Sequence, residues 1–193
     1  MLARVIDALG EIELESRQRG GDDGHYGALV RAIVGQQLST RAARAIFARL
    51  TERFGGRTPS PDEVLADDPE ELRAAAGLSR AKAGYLRSLA EHVRDGSLEL
   101  ERLDELPDER VLAELTAVRG LGEWTAQMFL IFGLERPDVL PTGDLGIRRA
   151  VALHYELPDL PAPPELERIA APWRPHRSLA SRYLWRSLDV TPG

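Results

Sequence analysis

The stretch LTAVRGLGEWTAQMFLIFGLERPDVLPTGDLGIRRA, Leu115 to Ala150, decides the reading of this chain. Its pattern is helix, glycine turn, helix, a loop holding prolines, then a third helix that opens on an acidic residue. Gly120 and Gly122 bracket the turn, where glycine takes positive φ at no steric cost and lets another backbone come close. The next helix starts at Gly122 or Glu123. Its first amides lack intrahelical acceptors, so that end suits an anion such as a phosphate. Trp124 projects from this first turn, and Pro141 and Gly143 fix the approach to Asp144 at a loop-to-helix junction. Each feature also has a plain structural account: an αα-hairpin, Asp144 as an N-cap with Arg148 as an i,i+4 partner, and Trp124 in a core.

Outward from this stretch every element reads as helical, and neither a strand pattern nor a repeat of fixed period stands out. Leu2, Val5, Ile6 and Leu9 form a helical stripe that RGGDDGHYG ends. Tyr26 to Leu38 reads as a buried helix through Leu29, Val30, Ile33 and Val34, and Ser39 or Thr40 caps the next, with Ile46, Phe47, Leu50 and Phe54 inward. Between them lies GQQLST, Gly35 to Thr40, whose glutamines could simply satisfy backbone groups at a helix junction. A short acidic helix follows. Ser79 caps a helix with Tyr85, Leu86, Leu89 and Val93 inward, and its basic first turn reads either as a phosphate contact or as a solvated face. Lys82, in that turn, is the only lysine. Pro107 and Asp108 start the helix leading into the hairpin, and two more helices start near Pro164 and Arg177, with Trp173, Leu179, Leu184 and Leu188 packing.

The 193 residues suffice for one domain with a proper core. With no cysteine, disulfides, thiolate zinc sites and iron–sulfur clusters are excluded. No apolar run approaches the roughly 20 residues that span a bilayer, and the N-terminus lacks a signal-peptide pattern, so a soluble cytoplasmic monomer without membrane contact is expected. A net charge of −6 and a pI near 5.3 oppose the usual basic footprint of a nucleic-acid binder. The charge is polarised, however. Acid concentrates in Ser60 to Arg73 and Glu91 to Arg110, while base gathers at Arg31, Arg41 and Arg44, at Arg80, Lys82 and Arg87, at Arg148 and Arg149, and at Arg174, Arg177, Arg182 and Arg186. One face could therefore still meet a phosphate backbone, with a modest salt dependence.

Four motifs in order, LVRAIVGQQLSTRAA (Leu29 to Ala43), VRGLGEWTAQMF (Val118 to Phe129), LPTGDLGIRRA (Leu140 to Ala150) and WRPHRSLASRYLW (Trp173 to Trp185), resemble the helix-hairpin-helix (HhH-GPD) DNA glycosylases. The resemblance is to their AlkA/Mag-type branch, the 3-methyladenine DNA glycosylases II. It implies an all-α, two-lobed fold forming one domain over residues 1–193. The hairpin lobe would cover about residues 40–145, the N- and C-terminal helices would make the second lobe, and a cleft would lie between them. The extra N-terminal domain of the bacterial pattern is not expected here.

By the same resemblance, the partner is double-stranded DNA containing damaged bases. Asp144 is the catalytic carboxylate, Trp124, Met128 and His176 line the base pocket, and Gly120, Leu121 and Gly122 grip phosphate. Gln37 or Leu38 fills the gap left by an extruded nucleotide, and Arg148 and Arg177 contact the DNA backbone, Arg177 reading equally well as a structural ion-pair partner. The carbonyls of Thr116, Val118 and Leu121 would hold a structural Na⁺ or K⁺; no cofactor is expected for catalysis. Met128 stands where the bacterial pattern has tyrosine, and His176 where it has tryptophan, which thins the aromatic pocket.

The implied chemistry is hydrolysis of the N-glycosidic bond of 3-methyladenine or 7-methylguanine. Alkylation makes the purine cationic and a good leaving group, so the sugar's oxocarbenium character is what needs help. A carboxylate about 4 Å away supplies roughly 4 kcal/mol at an effective dielectric near 20, on the order of a thousandfold in rate. An indole face adds about 0.5 to 2 kcal/mol toward a cationic base. Bifunctional relatives use a hairpin lysine as nucleophile. Trp124 holds that place here, so a monofunctional enzyme leaving an intact abasic site is expected. The competing readings are the same fold acting on hypoxanthine or ethenoadenine, a non-catalytic lesion-binding module, and an acidic helical interaction protein.

Overall fold

A computed structural model describes residues 1–12 and 24–190. Among them are eleven α-helices, two short 3-10 helices and no strand. The chain divides into two compact units, Arg17–Phe129 and the pair of segments Met1–Ser16 and Leu130–Gly193. Most of RGGDDGHYG, read as the breaker after the first helix, lies outside the described residues.

Among the described residues the unit Arg17–Phe129 begins with α2 (Gly24–Gly35), α1 belonging to the other. Leu29, Val30, Ile33 and Val34 are buried as their spacing requires. The helix stops three residues short of the expected Leu38 because Gln37 takes φ 56°, a left-handed conformation that ends a helix. α3 (Thr40–Arg53) starts from Ser39, whose hydroxyl accepts the Ala42 amide, and buries Leu50 fully.

The acidic segment, expected as one helix, is two: α4 (Pro61–Ala66) and α5 (Pro69–Ala76). Asp67 is extended, Asp68 accepts the Glu70 and Glu71 amides, and Pro69 at the first helical position cannot continue the preceding helix. Ser60 and Glu63 close a capping box on α4, and Gly77 (φ 74°) ends α5. α6 (Arg80–Arg94) starts on Ser79 and packs against α4 and α5. Arg87 donates to the carbonyls of Val64, Leu65 and Asp67 at 3.2 to 3.4 Å, satisfying the end of α4. α7 (Asp108–Ala117) buries Val111 and Leu115 and leads through the glycine turn into α8 (Glu123–Phe132).

The second unit contains α1 (Leu2–Leu9), α9 (Leu145–His154), α10 (Pro163–Ala170) and α11 (Arg177–Val190), with the last residues of α8. α11 packs on both α1 and α9. Ile147, Val151, Leu166, Trp173 and Leu184 form the core, with Leu2 against it. Leu179, expected to pack, is 37% exposed. The inward stripe of α11 runs instead through Ala180, Ser181, Leu184 and Ser187, at the i, i+4, i+7 spacing of one helix face. The buried hydroxyls remain satisfied, Ser181 on the Arg177 carbonyl at 2.9 Å and Ser187 on that of Leu184 at 2.7 Å.

The loop before α9 is stitched to the start of α11. Ser178 donates to the Arg136 carbonyl at 2.6 Å and accepts the Val139 amide at 2.9 Å. This fixes the strand of chain that delivers Pro141, Gly143 and Asp144.

Candidate active site

Asp144 sits at the N-cap of α9. Its Oδ1 accepts the Ile147 amide at 2.8 Å and the indole Nε1–H of Trp185, on α11, also at 2.8 Å. The sequence read the N-cap; the second donor is new. Trp185 in turn stacks on Phe132 (centroids 5.8 Å apart, planes at 28°), the last residue of α8. The Arg182 guanidinium covers Phe132 at 4.9 Å from its centroid and donates to the Ile131 carbonyl at 2.8 Å. A carboxylate is thus held by two N–H groups at one oxygen, beside stacked rings topped by a cation.

Trp185 and Phe132 were missed in the sequence. Trp185 closes the fourth motif, and a part-buried indole needs an acceptor for its N–H. Which acceptor it finds depends on α9 and α11 packing together, a long-range contact that no local pattern encodes.

Gly146 belongs to the same cluster. A Cβ there would lie 3.0 Å from Asp144 Oδ1 and 3.0 Å from Trp185 Cδ1, so any side chain would press on the contact between indole and carboxylate.

In the other unit, the hairpin turn Val118–Gly122 closes with the Leu121 amide on the Val118 carbonyl at 3.0 Å. Gly120 has φ 97°, and a Cβ there would run into the Tyr85 side chain, 2.6 Å from its Cβ. Gly122 differs. It has no positive φ, and a Cβ would meet nothing within 4 Å, so glycine there leaves room outside the protein rather than relieving strain inside it. Trp124 follows in the first turn of α8, 49% exposed rather than core, and Met128, half-buried, lies one turn on along the same face.

The GQQLST turn joins this hairpin. Gln36 Nε2 donates to the Gly120 carbonyl at 2.7 Å, and the next two residues, Gln37 and Leu38, are exposed at the tip. In the basic first turn of α6, Arg80 stays exposed beside Glu70, 3.4 Å away, while Lys82 does not. Lys82 Nζ turns inward, donating to the carbonyls of Val34 and Gln36 at 2.7 Å each, and burial lowers its pKa.

The carbonyls of Thr116, Val118 and Leu121 lie at the end of α7 and in this turn, and that of Val118 already accepts one amide. Neutral carbonyl oxygens suit an alkali cation by donor type.

Among the remaining expected residues, His176 is exposed ahead of α11, its amide on the Trp173 carbonyl at 2.8 Å. Arg177 takes the ion-pair alternative. Its Nε and Nη2 hold Asp138 at 2.6 and 2.9 Å, and Nη2 also reaches the Asp138 carbonyl at 2.7 Å. Burial pushes the Asp138 pKa up, but the Arg177 hydrogen bonds and the nearby Arg174 outweigh it and leave the carboxyl below its usual range. Arg148 Nε donates to the Pro161 carbonyl at 2.9 Å. A surface dent of about 320 Å³ lined by Tyr26, Arg57, Pro59 and Leu100 contains none of these residues. It is an open depression whose arginine is spent on Glu63.

Comparison with known proteins identifies the family and the fold. The DNA-3-methyladenine glycosylase 1 of Schizosaccharomyces pombe is 37% identical over 164 residues, covering 84% of this chain and 72% of the yeast protein. The structure of the same yeast's 3-methyladenine DNA glycosylase Mag1 in complex with abasic DNA superposes with a TM-score of 0.86 at 32% identity, over 98% of this chain and 91% of that one. YfjP of Bacillus subtilis is 33% identical over 170 residues, and the match spans 85% of this chain but only 59% of YfjP. Residues 30–175, well over half of the sequence, match the HhH-GPD superfamily of base excision DNA repair proteins, and the chain belongs to that family.

Proposed function

We propose that this protein is a monofunctional DNA glycosylase that flips an alkylated purine, 3-methyladenine or 7-methylguanine, out of double-stranded DNA and hydrolyses its N-glycosidic bond. The observation that carries the reading is the Asp144 carboxylate, anchored at Oδ1 by the Ile147 amide and the Trp185 indole. A preorganised negative charge is what an oxocarbenium-like sugar needs, and fixing it beforehand spares reorganisation when the bond breaks. The cationic base leaves without a strong general acid.

On one face of α8, Trp124 and Met128 receive the base, with the half-exposed indole of Trp124 offering its face to the cation. Gly120, Leu121 and Gly122 receive a phosphate at the start of α8, helped by a Na⁺ or K⁺ on the carbonyls of Thr116, Val118 and Leu121. Gln37 or Leu38 plugs the vacated stack. The 3-methyladenine glycosylases named among the relatives support the substrate class. Schiff-base chemistry has no support, since Trp124 stands at the hairpin place and the sole lysine is committed to two carbonyls.

The test is base release from methylated duplex DNA by wild type and Asp144→Asn. Release of 3-methyladenine and 7-methylguanine without strand scission, lost in Asp144→Asn, is expected. Equal release by both overturns the mechanism. Tight abasic-DNA binding with no release by wild type points instead to a lesion-binding module, and release of only hypoxanthine or ethenoadenine to a different lesion.

A further inference from the structure

Lys82 is the chain's only lysine, and the proposed chemistry leaves it without a task. Its ammonium sits under the C-terminal end of α2, taking the Val34 and Gln36 carbonyls where the helix dipole is negative. Gln36, whose carbonyl it holds, sends its own side chain across to the Gly120 carbonyl. One turn further along α6, Tyr85 packs beneath Gly120 so closely that no Cβ could be added there. The start of α6 therefore supports two loops at once, and Gln36 ties those loops to each other. Gln37 and Leu38 follow directly on the tied residue, Gln37 in the left-handed region. A tip of two exposed residues on a left-handed bend would yield under load unless its base were clamped.

We infer that Gln36 and Lys82 are positioning residues that brace the GQQLST turn against the hairpin, so that prising open the duplex and gripping its backbone are performed by one preorganised surface. The inference rests on the function proposed above. Its physical content is that the brace matters in proportion to the resistance of the duplex: a wedge that gives way loses most where pairing and stacking of the target are strongest. A purely structural role would lower activity equally on every substrate.

The experiment compares single-turnover release of 7-methylguanine placed opposite cytosine with release of the same lesion opposite a tetrahydrofuran abasic residue, where no partner must be broken. Gln36→Met removes the donor to Gly120 at similar length, Lys82→Met removes the ammonium, and Lys82→Arg restores a cation. The expected result for the two Met variants is a loss on the order of tenfold on the paired lesion that shrinks to less than about threefold on the unpaired one, with Lys82→Arg recovering most of it. Equal losses on both substrates, or no loss on either, overturn the brace. If Lys82→Met does not fold, Gln36→Met decides alone, since Gln36 is half-buried at the end of a helix and its substitution leaves the core untouched. Asp144→Asn on the same duplexes separates the two levels: if it releases base like wild type the glycosylase reading fails, whereas an inactive Asp144→Asn beside uniform losses in the Met variants sinks only the brace.

Discussion

The indole Nε1–H of Trp185 donates to Asp144 Oδ1 at 2.8 Å, so the carboxylate on α9 is aimed from α11. A hydrogen bond to a charged acceptor contributes roughly 1.5 to 3 kcal/mol when formed away from bulk water. Trp185→Phe keeps a ring to stack on Phe132 but removes the indole donor, while the Ile147 amide stays on Oδ1. We expect single-turnover base release to fall about tenfold or more while affinity for abasic duplex changes less than about twofold. Wild-type rates in Trp185→Phe would show that the indole is not needed to orient the carboxylate.

Gly146 allows a sharper test, because stability and activity should move independently. Alanine in the first turn of α9 favours the helix by about 0.5 to 1 kcal/mol over glycine. Its Cβ, however, would press at 3.0 Å on both Asp144 Oδ1 and Trp185 Cδ1, and one of them must shift by a few tenths of an ångström. Gly146→Ala is expected to keep its melting temperature within a few degrees and to lose activity on a scale like Trp185→Phe. A double variant should then lose little more than either single, since both act on one contact. Full additivity in the logarithm of the rate would argue against the shared contact.

How much of this was legible in the sequence follows from the range of each interaction. Ser39, Ser79 and Asp144 as N-caps were readable because a cap bonds to amides two or three residues on. The break between α4 and α5 was also locally encoded, in Asp68 and Pro69, but was passed over within an acidic run. Trp185 on Asp144, Lys82 on Val34 and Gln36, and Gln36 on Gly120 join residues 41 to 84 positions apart. Nothing in their neighbourhoods announces the partner. Charge patterning misled for the same reason: Lys82 and Arg87 read as a basic surface, yet both cap the carbonyl ends of other helices.

The two hairpin glycines, equivalent in the sequence, are expected to fail differently. Gly120→Ala forces a side chain into φ 97° and into Tyr85, which should cost about 1 to 3 kcal/mol of stability and lower the melting temperature by several degrees. Gly122→Ala meets open space and should melt like wild type. If a phosphate approaches this backbone, Gly122→Ala will still weaken abasic-DNA binding severalfold, read by fluorescence anisotropy. Unchanged affinity would place the DNA elsewhere.

The Asp138–Arg177 pair should be a stability element rather than a DNA contact. Their side chains are 23% and 16% exposed, and removing one partner of a largely buried pair strands the other charge. Arg174, also within 2.8 Å of Asp138, compensates in part. Arg177→Met is therefore expected to cost about 2 kcal/mol, toward the low side of such losses, and Asp138→Asn added to it should recover a portion by removing the stranded charge. A salt-dependent loss of DNA affinity in Arg177→Met without any change in urea midpoint would reverse this assignment.

His154 gives the fold a dependence on pH within the neutral range. Its Nε2 lies 2.8 Å from the Ser187 hydroxyl oxygen, whose own proton goes to the Leu184 carbonyl, so the ring donates and the neutral Nε2–H tautomer fits. Burial lowers its pKa from the ordinary 6.5. The unfolded chain therefore takes up the proton before the folded one does as the solution is acidified. The associated stability is fully present above pH 6.5 and is lost progressively as the pH falls from there through the lowered folded value. Urea midpoints measured from pH 7.5 down to about pH 5 should decline in wild type, and His154→Gln should remove that part of the decline because its amide never charges. A variant whose midpoint tracks wild type at every pH would show that His154 does not carry the dependence.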